Sequence, residues 1–312
     1  MKKTIYTMLA LAAGMMTVVS CSSNDEEEAV ASNKIIHMTL GVSTPSASTR
    51  TYVEDGTTFP SPTVSYGIIW SETDALGLFP TGYTSSTEFK WSSYVTEEGS
   101  EIKNRATFDG YTYAIADDEY YYAVYPYNST FSMDASNNIT INIPANQTAV
   151  LNSYDPSAAV MACKFKNSET AAVTLKQMCA FFRIYVDADC ESVIVSAHTT
   201  GQAASDWKMA GTCTVTETNS GGIKIDGANA TETQIKLTGF SAAGWYLIPF
   251  IPATAQPGLQ MWVNYPTASG GSNQGAYKGI SFNTAKNYEA ACVYNLGSWT
   301  KEECATYNNS SN

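Results

Sequence analysis

Two histidines, His37 and His198, are all that the chain offers for imidazole chemistry. His37 falls in an alternating apolar segment, so a Ser-His-Asp or Cys-His nucleophile system would have to rest on His198 alone. No G-x-S-x-G, H-E-x-x-H or phosphate-loop pattern occurs. Carboxylate pairs able to act as acid and base are present at Asp117, Asp118 and Glu119 and again at Asp187 and Asp189. The same groups could ligate calcium, but they lack the glycine-punctuated spacing of a calcium loop. Acidic pairs are commonplace on loops and strand ends. The expectation is therefore a protein that is not an enzyme, with no catalytic, cofactor or metal site.

Cysteine chemistry points elsewhere. Lys2 and Lys3 precede an apolar stretch from Met8 to Val19, too short to span a bilayer but of signal-peptide length. It runs into Val18-Val19-Ser20-Cys21, an apolar-apolar-small-Cys order that resembles the lipobox at which bacterial lipoproteins are cut and acylated, palmitate included. Cys21 then becomes the first mature residue, with residues 1–20 the signal peptide. Each buried methylene contributes about 0.8 kcal/mol, so several acyl chains anchor where one would not. Residues 21–34 form a lipidated acidic tether. Its run Asp25-Glu26-Glu27-Glu28 is either a solvated spacer or similar to the acidic export tag of Bacteroidetes-type surface lipoproteins. The expected location is the outer membrane, surface-exposed. Loss of Lys2 and Lys3 takes the formal charge from −12 to −14, which disfavours nucleic acid as a partner.

Cys163, Cys179, Cys190, Cys213, Cys292 and Cys304 remain, with no C-x-x-C pair or metal-like spacing. Disulfides are open to them in an oxidising compartment. Most are expected to be small buried apolar residues, since a chain of this size can bury a core unaided.

The elements that position these residues read as strands. About 290 mature residues carry 12% aromatic and only 15% charged side chains. Period-two alternation places Ile36, Met38, Leu40 and Val42 on one face, Ile139, Ile141 and Ile143 on another, and Phe182, Ile184 and Val186 on a third, each predicting a half-buried strand. Thr81-Gly82-Tyr83, Ser136-Asn137-Asn138, Asn219-Ser220-Gly221-Gly222 and Ser269-Gly270-Gly271-Ser272-Asn273 read as turns. The fold class is all-β. The polar segment Lys166-Asn167-Ser168-Glu169-Thr170 predicts a domain boundary between a β-sandwich over 51–170 and a second, with its tail, over 171–312.

Several segments, in order, resemble proteins of the fimbrillin family, the subunits of type V pili. They are Ser48-Thr49-Arg50-Thr51; the tryptophan, acidic and glycine-apolar-phenylalanine run from Gly67 through Trp70 and Asp74 to Phe79; and the aromatic Tyr121-Tyr122-Ala123-Val124-Tyr125-Pro126-Tyr127. Then come Leu175 to Ala180, Trp245 to Phe250, and Lys286-Asn287-Tyr288 entering a final strand from Ala290 to Leu296. Gln177 departs from the histidine expected in many relatives. The resemblance implies two tandem transthyretin-like β-sandwiches and a pilus subunit assembled by strand exchange. It implies proteolytic processing between Arg50 and Thr51, freeing an N-terminal strand and linker at 35–50 that carries Ile36, Met38, Leu40 and Val42. An arginine that merely lies in a linker is the alternative.

The partners so implied are other fimbrillin subunits, the outer membrane through the lipid on Cys21, and a host glycan or protein receptor. The rival is a glycan-binding surface lipoprotein, for which Trp91, Trp207, Trp245, Trp262 and Trp299 would serve as stacking platforms if exposed. Core burial is the competing fate, expected at least for Trp70 and Trp245.

Overall fold

Alternation of apolar and polar side chains makes Ile35–Ser43 a strand (β1), with Met38, Leu40 and Val42 buried and Ile36 half-buried on one face. The computed structural model describes residues 34–44, 51–52, 69–197, 207–266 and 274–304, and of 51–52, 255, 257 and 274–285 the backbone alone. Within them the protein is all-β. Residues 1–33, which include the expected signal peptide and Cys21, as well as Arg50, His198 and the turn expected at 269–273, lie outside the described residues.

β1 runs antiparallel to Ser100–Tyr113 (β5), which is followed across the sheet by Thr87–Glu97 (β4), Ala75–Pro80 (β3), Tyr120–Tyr125 (β6) and Met161–Lys166 (β10). The sheet's two ends are formed by Val173–Thr174 (β11) and Lys176–Gln177 (β12), two halves of one stretch around the fully buried Leu175. β11 pairs in parallel with β1, and β12 pairs antiparallel with β10, so the sheet curls back on itself. Inside the curl Met38, Leu40, Val42, Trp70, Phe89, Phe108 and Leu175 share one buried cluster.

β3 and β6 are buried on both faces because alternate residues serve two cores. Leu76, Leu78, Tyr121, Ala123 and Tyr125 point into the curl, whereas Phe79, Tyr122 and Val124 join a second cluster. That cluster also holds Ile139, Ile141 and Ile143 of β8 (Ile139–Ile143), whose alternation is as predicted. β8 lies between Ser132–Met133 (β7) and Gly211–Glu217 (β15), with Ile223–Asp226 (β16) beyond. A third sheet orders Gln274–Tyr288 (β20), Ala253–Tyr265 (β19), Ser192–Ser196 (β14), Gln234–Thr238 (β17) and Asn146–Thr148 (β9). A fourth orders Gly244–Phe250 (β18), Ala180–Val186 (β13), Val293–Ser298 (β21) and Thr51–Tyr52 (β2).

The segment at 166–170 enters a short 3-10 helix, Asn167–Ala172, and strands on its two sides pair: β8 with β15 and β9 with β17. All these sheets belong to one compact unit, Ser32–Asn312.

Two strand expectations need correction. The Phe182-Ile184-Val186 strand is not half-buried: every residue of β13 except Tyr185 is buried. It sits between β18 and β21, and its other face is covered by Tyr154 against Phe181 and by Trp245 of β18, whose ring lies 3.8 Å from the Arg183 guanidinium. The final strand starts at Val293 rather than Ala290, because Ala290 and Ala291 form a turn in which Ala291 has φ of 62°. The three expected turns that fall within the described residues behave as read: Gly82 and Gly221 take positive φ, and the Asp134 carboxylate accepts the backbone N–H groups of Ser136 and Asn138 beside Asn137 at φ 60°.

Candidate functional site

β1 and the slot it fills are the feature of this fold with the most to do. Its inner face places three side chains in the core, each worth about 1.5–3 kcal/mol of burial. Its two edges differ sharply. Toward β5 the ladder runs nine residues, from Ile35 opposite Tyr113 to Ser43 opposite Arg105, and extends through the Lys34 carbonyl accepting from Ala114 N–H at 2.8 Å. Toward β11 only Val42 and Ser43 are paired, with the Ser43 carbonyl accepting from Leu175 N–H at 3.1 Å. Strand loss would therefore strip one neighbour along its length and the other only at its end, not two neighbours equally.

Side chains reinforce the ladder on the outer face. The Thr39 hydroxyl donates to the Asp109 carboxylate of β5, and Ser43 Oγ lies 3.0 Å from Thr174 Oγ1. Hydrogen bonds from Ser92 and Thr39 hold the Asp109 carboxyl below the usual carboxylate range against the opposing cost of burial. His37 is exposed on the same face, its ring edge-on to Tyr111 at 5.2 Å. Composition alone does not reveal the close pass of Gly41 against the 3-10 helix, where a Cβ would stand 2.2 Å from the Ala171 carbonyl oxygen.

Thr51 opens β2, whose backbone pairs in parallel with β21, Thr51 opposite Val293 and Tyr52 opposite Tyr294. Arg50, which lies outside the described residues, immediately precedes this paired Thr51 in the sequence. The chain has two other arginines. Arg105 lies inside β5 and pairs with Glu97, while Arg183 is buried in β13. Proteases need an extended, unpaired substrate segment, so neither ladder-bound arginine is an accessible cleavage point.

The acidic pairs have neighbours of their own. Glu119 accepts the Ala116 N–H at 3.2 Å, closing a turn before β6, and Asp117 accepts from the Asn167 amide at 3.4 Å. Asp187 accepts the Lys301 N–H at 2.8 Å and Asp189 pairs with the Lys301 ammonium at 2.7 Å, docking the helical turn after β21. The described cysteines are all buried. Burial pushes the Cys163, Cys179 and Cys190 thiols up to about 12.

Trp70, Trp207 and Trp299 are buried, and Trp91, Trp245 and Trp262 are half-buried. The burial expected of Trp245 is thus only partial, because it stands on the outer face of β18, roofed by Arg183 rather than by core. Tyr83 and Tyr113 stack on each other at 4.3 Å. Tyr111 is the strongly exposed aromatic among the described residues, at 65%.

No protein-family model matches this chain, and no curated protein does. Among solved structures it is similar to a putative cell adhesion protein from Bacteroides uniformis, at 13% identity over 85% of this chain and 93% of that one, with a TM-score of 0.46. It is also similar to putative cell adhesion proteins from Bacteroides fragilis, at 8% identity over 83% and 92% with a TM-score of 0.37, and from Bacteroides eggerthii, at 15% identity over 86% and 88% with a TM-score of 0.33.

Proposed function

We propose that this chain is a structural, tip or accessory subunit of a bacterial surface pilus. It is exported to the outer membrane as a lipoprotein acylated on Cys21, cut after Arg50 and joined to other subunits by strand exchange, and it contributes to adhesion. The observation that carries the reading is the seating of β1. Among the described residues it is the first strand of the compact unit, it fills the core with Met38, Leu40 and Val42, and one of its edges is paired at only two residues.

Such a strand stays in place after cleavage, because its burial and its β5 ladder are untouched by breaking one bond at 50–51. It is also replaceable, because an incoming strand can take over the same ladder and the same three pockets by β-augmentation. Strand-for-slot contact is heterologous and does not close on itself, which is the geometry of a fibre.

The test is to treat the full-length lipoprotein in detergent with an arginine-specific protease and to run unheated gels beside N-terminal sequencing. A new N-terminus at Thr51 with a ladder of detergent-resistant multimers supports a shaft subunit. The same N-terminus without a ladder supports a tip or accessory subunit. A chain left intact at Arg50 overturns the processing step and with it the exchange mechanism.

A further inference from the structure

We propose that the β1 slot carries a size filter at the position of Gly41, so that a segment replacing β1 must bring glycine to that register, opposite Thr107 of β5. This rests on the strand-exchange reading above and adds to it the chemistry of the acceptable partner. The partner is an extended segment with apolar side chains at the Met38, Leu40 and Val42 positions and no side chain at the position between the last two.

Space, not conformation, makes the demand. Gly41 does not have the positive φ that excludes other residues, unlike Gly82, Gly99 or Gly297. A Cβ there would lie 2.2 Å from the carbonyl oxygen of Ala171 and 3.0 Å from its carbonyl carbon, far inside van der Waals contact. Both atoms are main chain, so no rotamer change relieves the clash.

The obstructing backbone is also held on both sides. Upstream, Asn167 donates its N–H to the Glu119 carbonyl at 3.3 Å and its side-chain amide to the Ile115 carbonyl at 3.2 Å, and Glu169 accepts the Lys166 N–H at 2.9 Å. Downstream, two residues past Ala171, Val173 enters β11 and pairs with Val42 of β1 itself. The wall that Gly41 touches is therefore tied to the strand it polices. Moving the wall breaks the pairing of β1 with β11 on that edge.

The adjacent positions sharpen the rule. Leu40 and Val42 flank Gly41 and are buried at 0% and 2% exposure, so an incoming strand cannot slip by one residue without turning its apolar face outward. Register and glycine thus select together.

The experiment uses the full-length chain after arginine-specific cleavage, incubated with excess fluorescent peptides spanning residues 34–44. Four peptides are compared: the native sequence, Gly41→Ala, Gly41→Val, and Ile35→Ala as a change at the exposed start of the strand. The native and Ile35→Ala peptides are expected to incorporate alike, the Gly41→Ala peptide about tenfold less, and the Gly41→Val peptide not detectably. Incorporation of Gly41→Val equal to the native peptide overturns the filter. If no peptide incorporates, that outcome counts against strand exchange itself, and the filter is then read in the uncut chain. There, Gly41→Val is expected to remove hydrogen-exchange protection from Ile35–Ser43 while leaving β14 and β17 protected, and retained protection in β1 overturns it.

Discussion

The phenol of Tyr125 donates to the Asp74 carboxylate at 2.9 Å, joining the end of β6 to the residue just before β3. Asp74 also accepts the Ser71 N–H at 2.7 Å, and the Tyr125 ring packs edge-on to Trp70 at 5.3 Å. Burial first, then the Asp74 charge, pushes the Tyr125 phenol above its ordinary range and keeps it a neutral donor. Replacing Tyr125 by Phe removes one hydrogen bond to a charged acceptor and leaves the ring. The expected loss is about 1.5–3 kcal/mol of unfolding free energy, read from urea midpoints at unchanged slope.

Leu40 is fully buried in the middle of β1, while Ile35 at its start is 61% exposed. Leu40→Ala opens a cavity between the curled sheet's walls and is expected to cost about 2–5 kcal/mol. Ile35→Ala is expected to stay within about 0.5 kcal/mol of the native chain. Equal midpoints for the two variants in thermal or urea unfolding would show that β1 does not contribute to the core as its burial requires.

What could be read in advance was local, and what could not was pairing. Met38, Leu40 and Val42 announced their face by period two, and Ile139, Ile141 and Ile143 did likewise. Trp70, Asp74 and Tyr125 were each visible in their own segment, but the hydrogen bond between Asp74 and Tyr125 spans fifty-one positions and leaves no periodic trace. β13 escaped the half-buried reading because Arg183, a charge on its outer face, is covered by Trp245 from β18. The demand at Gly41 depends on Ala171, which only the folding of the sheet onto itself brings near.

Lys164 of β10 and Glu217 of β15 form an ion pair of 2.7 Å that links two sheets, and the Tyr122 hydroxyl donates to the same carboxylate. The hydrogen bond from Lys164 and then that from Tyr122 hold the Glu217 carboxyl below its ordinary 4.5. A folded value below the unfolded one stabilises fully above the ordinary value and is lost as pH falls through the lower one. Glu217→Gln is therefore expected to lower stability at neutral pH and to make the decline between about pH 5 and 3 shallower than in the native chain. Parallel declines in melting temperature over that window would remove Glu217 from the acid response.

Cysteine reactivity gives the sharpest contrast between folded and unfolded chain. Cys163, Cys179, Cys190, Cys213, Cys292 and Cys304 are all buried, and the thiolate is the form that attacks an alkylating or disulfide reagent. Burial raises Cys163 and Cys179 to about 12 against the opposing pull of backbone hydrogen bonds and, at Cys163, of the Lys176 charge, so almost none of either is ionised at pH 8. Access and ionisation fail together. The expected result is no labelling of these six by a disulfide reagent at pH 8 in native buffer and complete labelling after guanidinium unfolding. Thermodynamics decides the intermediate case: if β1 opens locally, Cys163, which shares its buried cluster, should label ahead of Cys213 in the second cluster. Labelling of Cys213 first would place the weakest part of the fold away from β1, against the replaceable strand on which the assembly reading depends.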